Sequence, residues 1–355
     1  MKTNFLFTWI ALLFCGFTSG QPPGKLVHGW EVSKERYDTA LIRALKTEIG
    51  KDTYKQINSI IVIRNGKLLI EEYFNGAERN QRHNPRSVGK TFASAALGIA
   101  IKEGHIKNEY QQLGEFYNLR EFQNYSGRKA SVMLKHLLTM SSAFDANDSD
   151  PRSIGNEENM YPQSNWVKWA LDLPMATDRE PGEKFTYFTG GVVVLGDIIH
   201  KSVPGGLESY AHEKLFKPLG IVNYRWQRTP QNVANTAGGI QLIPLDFAKF
   251  GQLYLSRGKW NGQQILPEKW VDSSLARHYQ ANNDNGYGYL WWNKNYTVRN
   301  KAYNTSYCSG NGGNKIFVFK DLATVIVVTA SAYNQRYAHP QVDEMMIKYI
   351  LPSIL

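Results

Sequence analysis

Three stretches of this 355-residue chain place a serine three residues before a lysine: Ser87–Lys90, Ser126–Lys129 and Ser256–Lys259. A serine hydroxyl is a weak nucleophile and needs a neighbouring base to take its proton. On a helix, positions i and i+3 share a face, so a lysine amine can stand beside the hydroxyl. Such a pair can attack a carbonyl and carry an acyl group, and at most one of the three does so. Ser126 (YSGRKA) and Ser256 (LSRGKW) sit in short polar, glycine-containing segments between helical pieces and read as exposed turns. Ser87 follows Pro85 and opens VGKTFASAALGIAI, where Ala93, Ala96 and Leu97 continue a helix as apolar neighbours of Lys90. A lysine there can take or relay the serine proton, and the helix N-terminus offers N–H donors and a positive dipole to an oxyanion. The alternative is that Ser87 only caps the helix. The pair alone does not decide.

The elements that must hold this pair are legible around it. Residues 34–48 read as an amphipathic helix ending near Gly50, and 59–74 as two β-rich runs joined by Asn65-Gly66, a dipeptide suited to a tight hairpin turn. Thr91 to Lys102 is helix-forming, with a stop at Gly104. From 105 to about 230 helical pieces alternate with long loops, as in 132–140, 164–173 and 190–203, and 244–258 adds another helix. After residue 285 strands dominate (287–292, 314–319, 323–330), before a terminal helix over 341–355. Strands at both ends with helices between predict an α/β (α+β) protein. Its antiparallel sheet is built from both termini and flanked by helices, with an inserted all-α domain. The expected division is 26–104 with 236–355 for the sheet domain and 105–235 for the insertion, with a cleft where they meet.

A hydrophobic fraction of 42% suits a globular protein with a sizeable core. Residues 1–20 read as a secretory signal peptide: Lys2, an apolar run from Phe5 to Phe14, and small Thr18 and Gly20 before a cut at Gln21. The run is too short to span a bilayer, so no stable membrane anchor is expected, and bulky Phe14 argues against lipid attachment at Cys15. Cleavage removes Cys15 and leaves Cys308 alone, so stability rests on the core and not on disulfides. The formal charge of +10 is spread among acids with no basic tract, which speaks against nucleic acid. No metal or other cofactor is implied: H-E-x-x-H is absent, and one cysteine cannot build a thiolate site.

The context of Ser87 resembles the serine β-lactamase and penicillin-binding-protein-like hydrolases, particularly their class C and esterase branch. SVGK is similar to the first motif of that family, LKHLLTMSSAFD (134–145) to the segment after it, and EPGEKFTYFTGGVVVLGDII (180–199) to the stretch with the second motif. Residues 237–271 and NGYGYLWW (285–292) resemble later landmarks, and YCSGNGGNKIFVFKDLATVIVVTA (307–330) the third motif with its strand pair. Together these cover about residues 55–350 in the family's order. The resemblance implies Ser87 as acylated nucleophile, Lys90 as its partner and Tyr187 as general base, either held as phenolate or sharing a proton with the lysine. The expected substrate is a small-molecule ester or amide. No G-x-S-x-G is present, so a histidine-based triad lacks support.

Two departures from the family pattern stand out. Thr189 occupies the position where the second motif commonly has asparagine, and a hydroxyl lacks an amide's separate donor and acceptor. The third motif commonly begins with lysine or histidine; here it reads Cys308-Ser309-Gly310, or Tyr307-Cys308-Ser309 when aligned on the double glycine, followed by Asn311-Gly312-Gly313. Either register lacks a cation for a substrate carboxylate. Ser309, Gly310, Asn311 and Gly312 are expected at the substrate and oxyanion region, an edge-strand N–H completing the hole with that of Ser87. Cys308 reads as a small buried residue. Strand alternation would place Tyr287, Tyr289 and Trp291 on one face, as an aromatic wall or as core packing. The reading is an exported serine hydrolase. Its rivals are a β-lactamase or D,D-peptidase, a catalytically inactive binding protein on the same fold, and a glycosidase, which needs two facing carboxylates.

Overall fold

The computed structural model describes residues 26–355, so the expected signal peptide lies outside the described residues. Eight antiparallel strands form one sheet: β1 (Ile57–Arg64), β2 (Lys67–Tyr73), β3 (Tyr279–Gln280), β4 (Gly286–Tyr287), β5 (Trp292–Val298), β6 (Lys301–Gly310), β7 (Asn314–Phe319) and β8 (Thr324–Ala330). Their order is β2-β1-β8-β7-β6-β5-β4-β3, so the N-terminal hairpin adds to strands from the end of the chain. Asn65 and Gly66 both take positive φ, 51° and 73°, as the hairpin turn demands.

The two-residue alternation along the strands sorts the core into two layers. Ile61, Ile63, Val325 and Val327 pack with α2 (Lys90–Lys102) and α6 (Pro244–Leu255). Ile60, Val62, Ile326 and Val328 point the other way, onto α1 (Thr39–Gly50) and α7 (Ala338–Met345). α1 begins five residues later than the sequence suggests, because Asp38 caps it by accepting the N–H groups of Ala40 and Leu41. The last helix starts earlier and continues from α7 through a wider turn, Met346–Ile350. Between the sheet segments lie α3 (Leu134–Leu138), α4 (Trp166–Asp172) and α5 (Thr189–Ser202), with α5 packed on α2.

The stretch 287–292 departs from its expected uniform strand. It breaks after Tyr287 and resumes at Trp292, with Leu290 at φ 66° in the turn between. The turn resets the parity, so the three aromatics do not form one wall. Tyr289 stacks on His278 and Trp291 stacks on Phe250 inside the core. Trp292 takes the position beside Tyr187 instead, its ring stacked 6.0 Å from the tyrosine's. No helix among the described residues is long and apolar enough to cross a membrane.

Candidate active site

The Ser87 turn is built from a conformation few side chains adopt. Arg86 has φ 54°, Arg86–Gly89 make a single 3-10 turn, and α2 starts at Lys90. Ser87 therefore is not the helix cap: that position is Gly89, and no side chain bonds there. The Ser87 hydroxyl instead accepts from Lys90 Nζ at 2.9 Å. Lys90, 1% exposed, also donates to the Ala237 carbonyl at 2.6 Å. Sequence reasoning missed that carbonyl. The trace it left is the double glycine after it, since Gly238 at φ 147° lets the loop pass so close that a Cβ there would stand 2.5 Å from the Arg86 carbonyl oxygen.

Tyr187 completes the group. Its half-buried ring lies 5.3 Å from Lys90 Nζ. Burial raises its phenol above the ordinary value, and the Lys90 charge and Ser87 hydroxyl only partly offset this. The resting group is a neutral phenol, so of the two states implied by the resemblance the standing phenolate is disfavoured. Thr189 opens α5 and is fully buried. Its N–H donates to Asp148 Oδ2 at 2.6 Å, while its hydroxyl has no partner among the described residues. Asp148, another residue the sequence did not announce, has its carboxyl pushed up to about 6 by burial and then by Glu157, against the pull of Thr189 and Lys90.

The third motif is split by the pleat. Its strand β6 lies between β5 and β7, inside the sheet, and not at an edge as expected. Cys308 faces α2, its thiol 3.5 Å from Thr91 Oγ1, and burial pushes that thiol well up. Ser309 turns to the opposite face, where it accepts from Lys315 Nζ at 2.7 Å beside Tyr307. It therefore leaves the substrate region assigned to it from sequence. Gly310 touches the Ser87 turn: a Cβ on it would lie 1.9 Å from the Pro85 carbonyl oxygen. Asn311 lines the cleft, its amide tied to Asn334 and its carbonyl to Asn314 Nδ2, and Gly312 pairs with Ala332 at φ 93°. The cleft encloses about 280 Å³ and is lined by Ser87, Glu157, Glu158, Tyr161, Trp166 and Asn311 among others.

Lys315 sets a measurable pH signature. Burial brings its ammonium down to about 7, against about 10.4 for an unfolded lysine. Between those values the unfolded chain binds the extra proton, so this group's contribution to stability rises with pH from about 7 to about 10.4. Thermal melting of Lys315→Met is expected to lack that rise, and an unchanged melting profile across pH 6 to 10 would contradict it.

The other two serine–lysine pairs are not such sites. Lys259 is exposed and Ser256 accepts from Gln252 Nε2. Lys129, expected on an exposed turn, is fully buried and correspondingly lowered to about 8. Its ammonium donates to the carbonyls of Gln123 and Leu171 at 2.8 and 2.7 Å, while Ser126 only caps the backbone N–H of Lys129. Two carbonyl acceptors make the burial tolerable, and nothing in the local composition announces them. Among the described residues no three His, Cys, Asp or Glu side chains gather as metal ligands.

Comparison with known proteins agrees with this architecture. A family model described as Beta-lactamase matches residues 57–343. Protein flp of Staphylococcus aureus is 21% identical over 194 residues, 52% of this chain and 37% of its own length. The 6-aminohexanoate-dimer hydrolase of Paenarthrobacter ureafaciens is 25% identical over 269 residues, 72% of this chain and 64% of that one. The chain thus spans less than two thirds of the length of either curated relative. The solved structure of EstCE1, a hydrolase with promiscuous acyltransferase activity, shares the fold with a TM-score of 0.69 at 14% identity, covering 86% of this chain and 98% of that one. The family match takes in Ser87, Lys90, Tyr187 and the whole eight-stranded sheet, and on it this chain belongs to the β-lactamase family.

Proposed function

We propose that this chain is an exported serine hydrolase that cleaves an ester or amide bond through an acyl-enzyme on Ser87. The observation that carries it is the 2.9 Å contact between Ser87 Oγ and Lys90 Nζ, held on a strained turn at the wall of a cleft. Ser87 attacks the carbonyl and its proton passes to the Lys90–Tyr187 pair, which returns a proton to the leaving alcohol or amine. Water then attacks the acyl-enzyme and gives a proton to the same pair, which returns one to Ser87 Oγ as the acyl–oxygen bond breaks and the acid leaves. The backbone N–H groups of Ser87 and Asn311 donate to no protein group among the described residues and are the proposed oxyanion donors. Because burial keeps the Tyr187 phenol protonated, the pair must lose a proton before it can act, and kcat/KM is expected to rise toward alkaline pH.

The cleft favours acyl donors without a carboxylate. Ser309 and Lys315 face away from it, while Glu157, Glu158 and Arg86 line it, two carboxylates to one guanidinium, the latter stacked 4.4 Å from the Tyr333 ring. A neutral or amine-bearing acyl group fits these charges better than the anionic substrates of a β-lactamase or D,D-peptidase. The relative named as an amide-dimer hydrolase and the esterase-like structural neighbour are compatible with that class. Rapid turnover of p-nitrophenyl esters beside slow nitrocefin turnover tests the reading, and the reverse order sinks it. Glu157→Gln is expected to raise KM for an aminoacyl ester about fivefold, the worth of one partly exposed ion pair, and to leave a neutral ester's KM unchanged. Equal effects on both esters would remove the charge argument.

A further inference from the structure

The backbone around Tyr187 is gripped from one residue. Asp148 N–H donates to the Tyr187 carbonyl at 2.9 Å, and Asp148 Oδ2 accepts the N–H of Thr189 at 2.6 Å. The same carboxylate reaches across the cleft wall, where Oδ1 accepts the Glu157 N–H at 2.8 Å. Asp148 thus bonds the chain at Tyr187 itself and two residues after it, and also joins it to the segment that carries Glu157. On the other side Met140, at φ 56°, accepts Thr186 N–H through its carbonyl and Phe188 N–H through its sulfur. Four consecutive residues, 186 to 189, are therefore pinned between two loops, and Asp148 is the only ionisable group in those bonds.

We infer that Asp148 is a positioning residue for the proposed general base: its ionised carboxylate holds the Tyr187 phenol in register with Lys90 and Ser87. The inference rests on the acyl-enzyme reading above. A carboxylate accepts both N–H groups at once, whereas a carboxylic acid or an amide must turn one donor towards them. Losing that acceptor frees the start of α5 and lets the phenol move, and a displacement of an ångström at a reacting group costs rate without removing substrate contacts. The charged and titratable groups around Asp148 are Glu157, Lys90 and Tyr187. With its carboxyl pushed up to about 6, protonation on the acid side undoes the grip.

The test is p-nitrophenyl ester turnover by wild type, Asp148→Asn and Thr189→Pro, with thermal melting of each. Thr189→Pro deletes the bonded N–H from the other partner. It sits at the first helical position after an extended Phe188, where proline is tolerated. Both variants are expected to lose kcat by about tenfold or more with KM within about threefold. Below about pH 6 protonation of Asp148 adds a second, steeper component to the wild-type fall in kcat/KM, and Asp148→Asn should lose that component while keeping the gentler fall set by the proposed base. Wild-type kcat in either folded variant, or a fall below about pH 6 as steep in Asp148→Asn as in wild type, overturns the inference. If Asp148→Asn does not fold, Thr189→Pro decides. Wild-type turnover that survives Ser87→Ala would instead overturn the acyl-enzyme reading, and this inference with it.

Discussion

Ser87→Ala is expected to abolish the single adduct that a fluorophosphonate probe leaves on the wild-type protein, read as intact mass. It should also cut ester kcat/KM by a factor on the order of 10³ or more. The size follows from the geometry. Lys90 is 1% exposed and spends its donors on Ser87 Oγ and the Ala237 carbonyl, so it is arranged to serve this one hydroxyl. Lys90→Met should fall nearly as far, because a serine without its proton acceptor is an ordinary alcohol. The double variant should be no slower than Ser87→Ala, since residues that act as one unit are not additive. Labelling of Ser87→Ala at the wild-type level would place the reactive group elsewhere. A folded wild type that never labels would move the inactive binding protein to the front.

Gly310→Ala is expected to be nearly as damaging, though it removes no functional group. The added Cβ would lie 1.9 Å from the Pro85 carbonyl oxygen and 3.1 Å from the Val88 nitrogen, both backbone atoms. Neither can swing aside as a side chain end could, so β6 must separate from the Ser87 turn. Loss of about 2–4 kcal/mol of stability is expected, together with loss of Ser87 labelling. Gly50→Ala, where the same atom meets nothing within 4 Å and φ is not positive, serves as the control and should melt within about 0.5 kcal/mol of wild type. A Gly310→Ala protein that melts and labels like wild type would show that the strand and turn do not depend on this contact.

What the sequence determined by itself is what repeats at short range. The 3.6-residue pattern placed α2 after Ser87, the two-residue pattern and Asn65-Gly66 placed the N-terminal hairpin, and the strands at both ends implied one shared sheet. The Ser87–Lys90 contact is three residues long and so was visible as a spacing. Tertiary structure alone decided the rest. The Ala237 carbonyl reaches Lys90 across 147 residues, and Asp148 reaches Thr189 across 41. Lys129 is buried against a carbonyl 42 residues away, in a segment whose composition reads as an exposed turn. Ser309 belongs to the motif by sequence but to the opposite face by pleat, and one turn at Leu290 moved Trp292 into the place expected for Trp291. Local pattern records which conformation a segment prefers. Which carbonyl, carboxylate or ring meets it depends on how distant segments close a common core, and no short-range period carries that information.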